Sequence, residues 1–241
     1  MRGDPTRIWR ELSPGPCRAP DAQPELESSK AGETRHRTER RADRALEAER
    51  LATRKKNAAR LGAHIVFADE SGFLLIPNVV KTWAPRGQTP VHRHCYRRDK
   101  ISVISGVSVS PQRQRLGLFY QLYFNNIGHE EVCLFLRDLL RHLRGPVIAI
   151  LDNSQTHHGG PLAEIQRQHP RLHIEHFPSY APELNPDEGV WSLAKRDLAN
   201  GCPHNLEELM DDLIHSIESI RRSPAKLRGC IKQSELPPLL R

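Results

Sequence analysis

The chain changes character near residue 60. Residues 1–60 hold no long apolar run, whereas 64–200 hold several. Up to residue 35, Pro, Gly, Ser and charge dominate, as in Ser13-Pro14-Gly15-Pro16 and Glu27-Ser28-Ser29-Lys30. Such a segment cannot bury enough apolar surface to offset chain entropy, which predicts an irregular or disordered arm. Residues 36–61 contain strong helix formers with Glu/Arg pairs across Arg41–Leu51 and only a thin apolar stripe. That pattern predicts an exposed linker helix ending near Gly62.

From residue 64 the polarity pattern predicts strands first and alternation afterwards. His64–Asp69 reads as a buried strand, and Thr82–His92, with two prolines and a glycine, as a loop or edge hairpin. Lys100–Val109 and the alternating Arg115–Phe124 predict a hairpin around Ser110-Pro111. His129–Leu143 has helical spacing at Val132, Leu134, Phe135, Leu139, Leu140 and Leu143, and Gly145-Pro146 stops it. Val147–Leu151 is a short continuous apolar run, the signature of a central strand. Helices are predicted over Pro161–His169, Pro186–Leu198 and Leu206–Ile220, and a short strand over Leu172–Phe177.

The order β, β, β, α, β, α, β, α, α predicts an α/β domain over 62–225, a mixed sheet with helices on both faces. Residues 226–241 read as a C-terminal tail. This order resembles the ribonuclease-H-like fold of polynucleotidyl transferases. In that fold the first and fourth strands lie side by side.

Charge and cysteine usage narrow the class. Residues 1–60 carry 15 Lys/Arg against 10 Asp/Glu, so most of the net +7 lies in the arm. A basic arm fits a polyanionic partner or an ordinary solvated helix, and charge alone leaves both open. No stretch approaches a membrane span, and the N-terminus lacks a secretory apolar core, so a cytoplasmic protein is expected. The five cysteines are scattered without a CxxC pair, which fits a reducing compartment. His92, His94 and Cys95 cluster, but no second ligand pair follows at zinc spacing, so a polar loop is expected there.

Three acidic residues carry the candidate chemistry. Asp69 ends one apolar run, Asp152 ends another, and Glu188 stands where a helix should begin. Carboxylates at two strand ends and one helix start can converge on a pair of hard cations, the requirement of two-metal phosphodiester chemistry. Asp69 would bridge the ions, Asp152 would bind one and Glu188 the other. Each has a plainer reading. Asp69 and Asp152 also suit strand-end turns. With Asn185 as N-cap and Pro186 at the first helical position, Glu188 falls where a capping-box glutamate sits. Glu183 and Asp187 are rival third carboxylates.

Ordered motifs favour the metal reading. Phe67-Ala68-Asp69-Glu70-Ser71-Gly72 is followed by Thr82-Trp83-Ala84-Pro85-Arg86-Gly87-Gln88-Thr89-Pro90. Then come Leu151-Asp152-Asn153 with His157, and Pro178-Ser179-Tyr180-Ala181-Pro182-Glu183-Leu184-Asn185-Pro186-Asp187-Glu188-Gly189-Val190-Trp191-Ser192. Over residues 60–200 this set resembles the catalytic core of mariner-like transposases of the insertion-sequence-630 type. The resemblance implies Asp69, Asp152 and Glu188 as the metal-binding triad and two Mg²⁺ (or Mn²⁺) ions as cofactor. It also implies cleavage of double-stranded DNA followed by strand transfer, usually into a TA dinucleotide.

Asn153 and His157 flank the second carboxylate and can orient the scissile phosphate or support a metal ligand; a capping or buried-polar role suits His157 equally. Trp191 is expected to anchor its helix in the core. Lys195, on the Glu188 face, and Arg196 can contact DNA phosphate or simply be solvated, and Arg86 is a further candidate DNA contact. Members of the family carry helix-turn-helix modules ahead of the core, and residues 1–60 show no tri-helical apolar pattern. The region that binds the element ends is therefore expected to be lost, replaced or supplied by a separate helix-turn-helix polypeptide, and joining two ends suggests a homodimer. The rival expectations are an inactive truncated remnant that only binds DNA or dimerises, and a ribonuclease-H-like nuclease acting on RNA–DNA hybrids.

Overall fold

The computed structural model describes residues 61–76, 78–86, 98–178, 181–236 and 239–240. The arm over 1–35, nearly all of the linker helix over 36–61, and the His92/His94/Cys95 cluster lie outside these residues.

A five-stranded sheet has the order β3-β2-β1-β4-β5. Its strands are β1 (His64–Leu74), β2 (Lys100–Val109), β3 (Leu116–Tyr123), β4 (Val147–Leu151) and β5 (Leu172–His176). β1, β2 and β3 form an antiparallel meander, and β1, β4 and β5 pair in parallel. The first and fourth strands are thus adjacent, as expected. The helices are α1 (His129–His142), α2 (Gly160–Gln168), α3 (Pro186–Asp197), α4 (Leu206–Arg221) and α5 (Pro224–Gln233). None among the described residues is long and apolar enough to cross a membrane.

Alternation along each strand sends residues to two cores. Ile65, Phe67, Ile148 and Ile150 pack with Val190, Trp191, Leu213 and Ile217 on the side of α3, α4 and α5. Val66, Ala68, Ala149 and Leu151 pack with Phe135, Leu136, Leu139 and Ile165 on the side of α1 and α2. β4 is buried on both faces, which is why it reads as an unbroken apolar run.

Three elements differ from expectation. β1 runs five residues past Asp69, because β2 pairs with it as far as Leu74↔Lys100. The polar Glu70-Ser71-Gly72 disguised this half of the strand. Leu134, expected on the apolar stripe of α1, is exposed, and Cys133 and Leu136 take the inward positions. The stretch expected as a tail begins within α5, where Ser223 accepts a hydrogen bond from the Lys226 amide and Leu227, Cys230 and Ile231 are buried. Only a few apolar positions in ten residues marked this helix.

α5 lies hard against α3 at Gly189. A Cβ there would stand 2.9 Å from Cys230 Cβ and 3.0 Å from its Cα. Glycine is what lets the two helices touch immediately after Glu188.

Candidate active site

The β1–β4 ladder ends at Phe67↔Ile150, whereas β1 continues with β2. Asp69 lies two residues beyond the last rung, and Asp152 directly follows β4. The strands part at this point, and the gap is closed by the start of α3. Asp69, Asp152 and Glu188 line one cavity there of about 390 Å³, with Asn153, Ser154, Phe177 and Asn185 among its other walls. Three elements distant in sequence therefore bring their carboxylates to one place.

Each carboxylate is held differently. Asp69 Oδ2 accepts a hydrogen bond from Trp191 Nε1 at 3.1 Å. Burial, then repulsion from Glu188, Glu70 and Asp152, pushes its pKa up to about 7 despite that bond. Asp152 Oδ1 accepts from the Ser154 amide at 2.8 Å, the expected Asx-type turn. The same oxygen lies 2.5 Å from His157 Nδ1. This contact, more than any other, holds Asp152 below the usual carboxylate range.

His157 bridges two acids. Its side chain is wholly buried, and Nε2 lies 2.7 Å from Glu70 Oε1. Burial opposes its charge, but the bonds to Asp152 and Glu70 prevail and raise its pKa to about 10. The imidazolium donates from both nitrogens and fixes the direction of Asp152. Asp69 and Glu70, adjacent on β1, face opposite sides of the sheet, one to Trp191 and the other to His157.

Glu188 is exposed, and among the described residues its side chain makes no hydrogen bond. The helix is capped by Asn185, whose Oδ1 accepts from the Asp187 amide at 3.1 Å. The Asn185 amide donates to Pro182 O, so no capping box forms. That leaves the Glu188 carboxylate to the cavity. Of the rivals, Asp187 is fully buried beneath the site, its Oδ1 accepting from Ser105 Oγ at 2.7 Å. Burial holds its carboxyl well above the usual range. Glu183 stands on the 3₁₀ turn Pro182–Leu184 and does not line the cavity.

Asn153 lines the cavity, and its Nδ2 donates to Phe177 O at 2.8 Å, tying the ends of β4 and β5 together. Trp191 is buried as expected. Lys195 shares the Glu188 face of α3, but two turns away its Nζ stands 6.0 Å from the Phe73 ring centroid. It lines a separate cavity of about 730 Å³ instead of the carboxylate cavity. Arg196 is exposed, as is Arg86, which lies in the described part of the segment after β1.

The donor set suits a hard divalent cation. The wall supplies carboxylate oxygens and no thiol, as Mg²⁺ and Mn²⁺ prefer. The mutual repulsion registered at Asp69 is relieved by a cation. Among the described residues no three acidic, His or Cys side chains close into a complete ligand cluster. An ion there would take the rest of its shell from water and phosphate oxygens, which is the habit of Mg²⁺.

Residues 64–210 match the family model described as DDE superfamily endonuclease. The chain belongs to that family. Its fold is similar to that of the Mos1 transposase paired-end complex with left transposon end, at 19% identity and a TM-score of 0.50, over 79% of this chain and 61% of that one. It is also similar to a pre-cleavage Mos1 transpososome, at 17% identity and a TM-score of 0.50, over 80% of this chain and 62% of that one. This chain thus spans about three-fifths of the length of those it matches. The likeness establishes the ribonuclease-H-like sheet flanked by helices. Comparison with curated proteins gives no match.

Proposed function

We propose that this chain is the catalytic core of a mariner-like transposase of the insertion-sequence-630 type, which cuts DNA strands and joins the cut end to a target. The observation that carries this reading is the convergence of Asp69, Asp152 and Glu188, from β1, the end of β4 and the start of α3, on one cavity. Asp69, Asp152 and Glu188 would together hold a pair of Mg²⁺ or Mn²⁺ ions. When bound, such a pair neutralises charge on the entering and leaving oxygens of an in-line phosphoryl displacement.

The chain's own residues prepare that chemistry. Trp191 orients Asp69 from the α3 side, and His157 orients Asp152 from the α1 side. The two bonds fix carboxylate directions before substrate arrives, so little reorganisation remains for the reaction itself. In cleavage, a water oxygen forms a bond to phosphorus as the bond to one strand oxygen breaks. In joining, a DNA 3′ hydroxyl oxygen bonds to a target phosphorus and gives its proton to solvent, as the target strand's own P–O bond breaks and that oxygen leaves. Asn153, in the cavity wall, would meet the phosphate, and the exposed Arg86 and Arg196 would contact duplex backbone without reading sequence. Lys195, held over Phe73, is the weakest of the DNA candidates.

Double-stranded DNA, both element end and target, is the proposed substrate. Pairing of two ends calls for a homodimer, and recognising them calls for helix-turn-helix modules. A supercoiled-plasmid assay tests the catalytic claim. Nicking should require Mg²⁺ or Mn²⁺ and stop with chelator. Asp152→Asn should reduce it to background while the thermal transition is retained. Nicking that survives Asp152→Asn removes Asp152 from the mechanism.

A further inference from the structure

The carboxylate cavity opens at the C-terminal ends of β4 and β5, and the opposite end of the sheet carries opposite charge. Arg137, Leu140, Arg141, His169 and Arg171 line a depression of about 330 Å³ there. It lies where α1 ends and where β4 and β5 begin, a five-residue strand away from the carboxylates, or about 16 Å. Arg144, also exposed, stands two residues beyond α1.

These cations are poorly neutralised. Arg171 is committed to structure, since its guanidinium donates to the carbonyls of Leu143 and Gly145 at 2.7 Å and to that of Leu140. That caps α1 and fixes one positive charge in the floor. Arg141 pairs with Asp138 at 2.7 Å, but its side chain is 76% exposed and the pair contributes little. Arg137 and Arg144 have no ion pair among the described residues. Arg137 and Arg141 stand four apart on one helix stripe, where like charges repel. The arrangement disfavours the isolated helix and favours a polyanion laid across it.

Arginine forks match phosphate oxygens. The depression has one apolar residue, Leu140, itself buried, and so lacks the apolar centre on which a protein partner would anchor. We propose that this face, centred on Arg137 and Arg141, docks the phosphate backbone of a DNA duplex segment other than the one entering the carboxylate cavity. The contact is independent of sequence and does not depend on the metal site.

Fluorescence anisotropy with a duplex of about 30 base pairs and arbitrary sequence, without divalent ions and between about 50 and 200 mM salt, tests it. Arg137→Glu/Arg141→Glu should weaken binding at least about tenfold at the low-salt end and lower the slope of log K against log salt by about 2. Arg137→Gln/Arg141→Gln should fall between this and the wild type. Calorimetric Mn²⁺ affinity should be unchanged in both variants, so a dead metal site and a dead docking face are told apart. Unchanged duplex binding in the Glu variant overturns the proposal. So does an equal loss of binding to polyglutamate, which would mark a general anion face.

Discussion

At Asp69, burial and three neighbouring carboxylates set a pKa of about 7, against an ordinary value of 3.8. Below that pH the metal-free site holds a proton that a cation must displace. Mn²⁺ affinity should therefore rise between about pH 6 and 8, with close to one proton released, as read by calorimetry in buffers of different ionisation enthalpy. Flat affinity across that range would contradict it. The sign for stability runs the other way. A raised carboxylate pKa means that the folded state binds the proton and the unfolded chain does not. Metal-free protein should thus gain stability as pH falls from about 7 towards 3.8, and Asp69→Asn should flatten that gain. His157→Ala should reduce Mn²⁺ affinity or nicking about 10–100-fold, because Asp152 loses the group that aims it. As candidates the three carboxylates were legible from ordered motifs, Asp69 and Asp152 at the ends of apolar runs and Glu188 at a helix start. Glu70 was not, because its bond to His157 spans 87 residues and nothing local announces which face of β1 it takes. The bond from Trp191 to Asp69 spans 122 residues and was hidden for the same reason.

Elements set where those residues stand. The site exists because β1 is longer than its parallel neighbour, leaving Asp69 past the last rung with β4. Every strand is legible in the sequence, but β1 reads as ending at Asp69, since polar residues on an open edge look like a turn. α3 and its Asn185 cap are legible too, but spacing alone suits a capping Glu188, and only the ordered motifs favour a metal-binding one. The absence of a capping box depends on the Asn185 amide being taken by Pro182, a contact of the preceding 3₁₀ turn. α5 escaped because tertiary packing, with Cys230 against Gly189, supplies what its thin apolar stripe does not. Gly189→Ala should press on Cys230 and lift α3. The expected outcome is a loss of about 1–3 kcal/mol in denaturant unfolding, with weaker Mn²⁺ binding because Glu188 moves with the helix. Unchanged stability and unchanged binding would mean that the α3–α5 contact does not fix the site.

Over the whole molecule, element order was the most legible property. Three strands followed by alternating units leave few ways to build a sheet, and the adjacency of β1 and β4 follows from that order. Charge layout was not legible, because basic residues on α1 and before β5 look unremarkable until folding gathers them. The result is a domain with acids at one end of its parallel strands and arginines at the other. The most direct test of the central claim, that three carboxylates from three elements form one cation site, is calorimetric titration of Mn²⁺ into the wild type, Asp69→Asn, Asp152→Asn and Glu188→Gln. Saturable binding in the wild type and its loss in each folded variant is the expected result. Wild-type affinity in Glu188→Gln would contradict the claim and leave the start of α3 a purely structural feature.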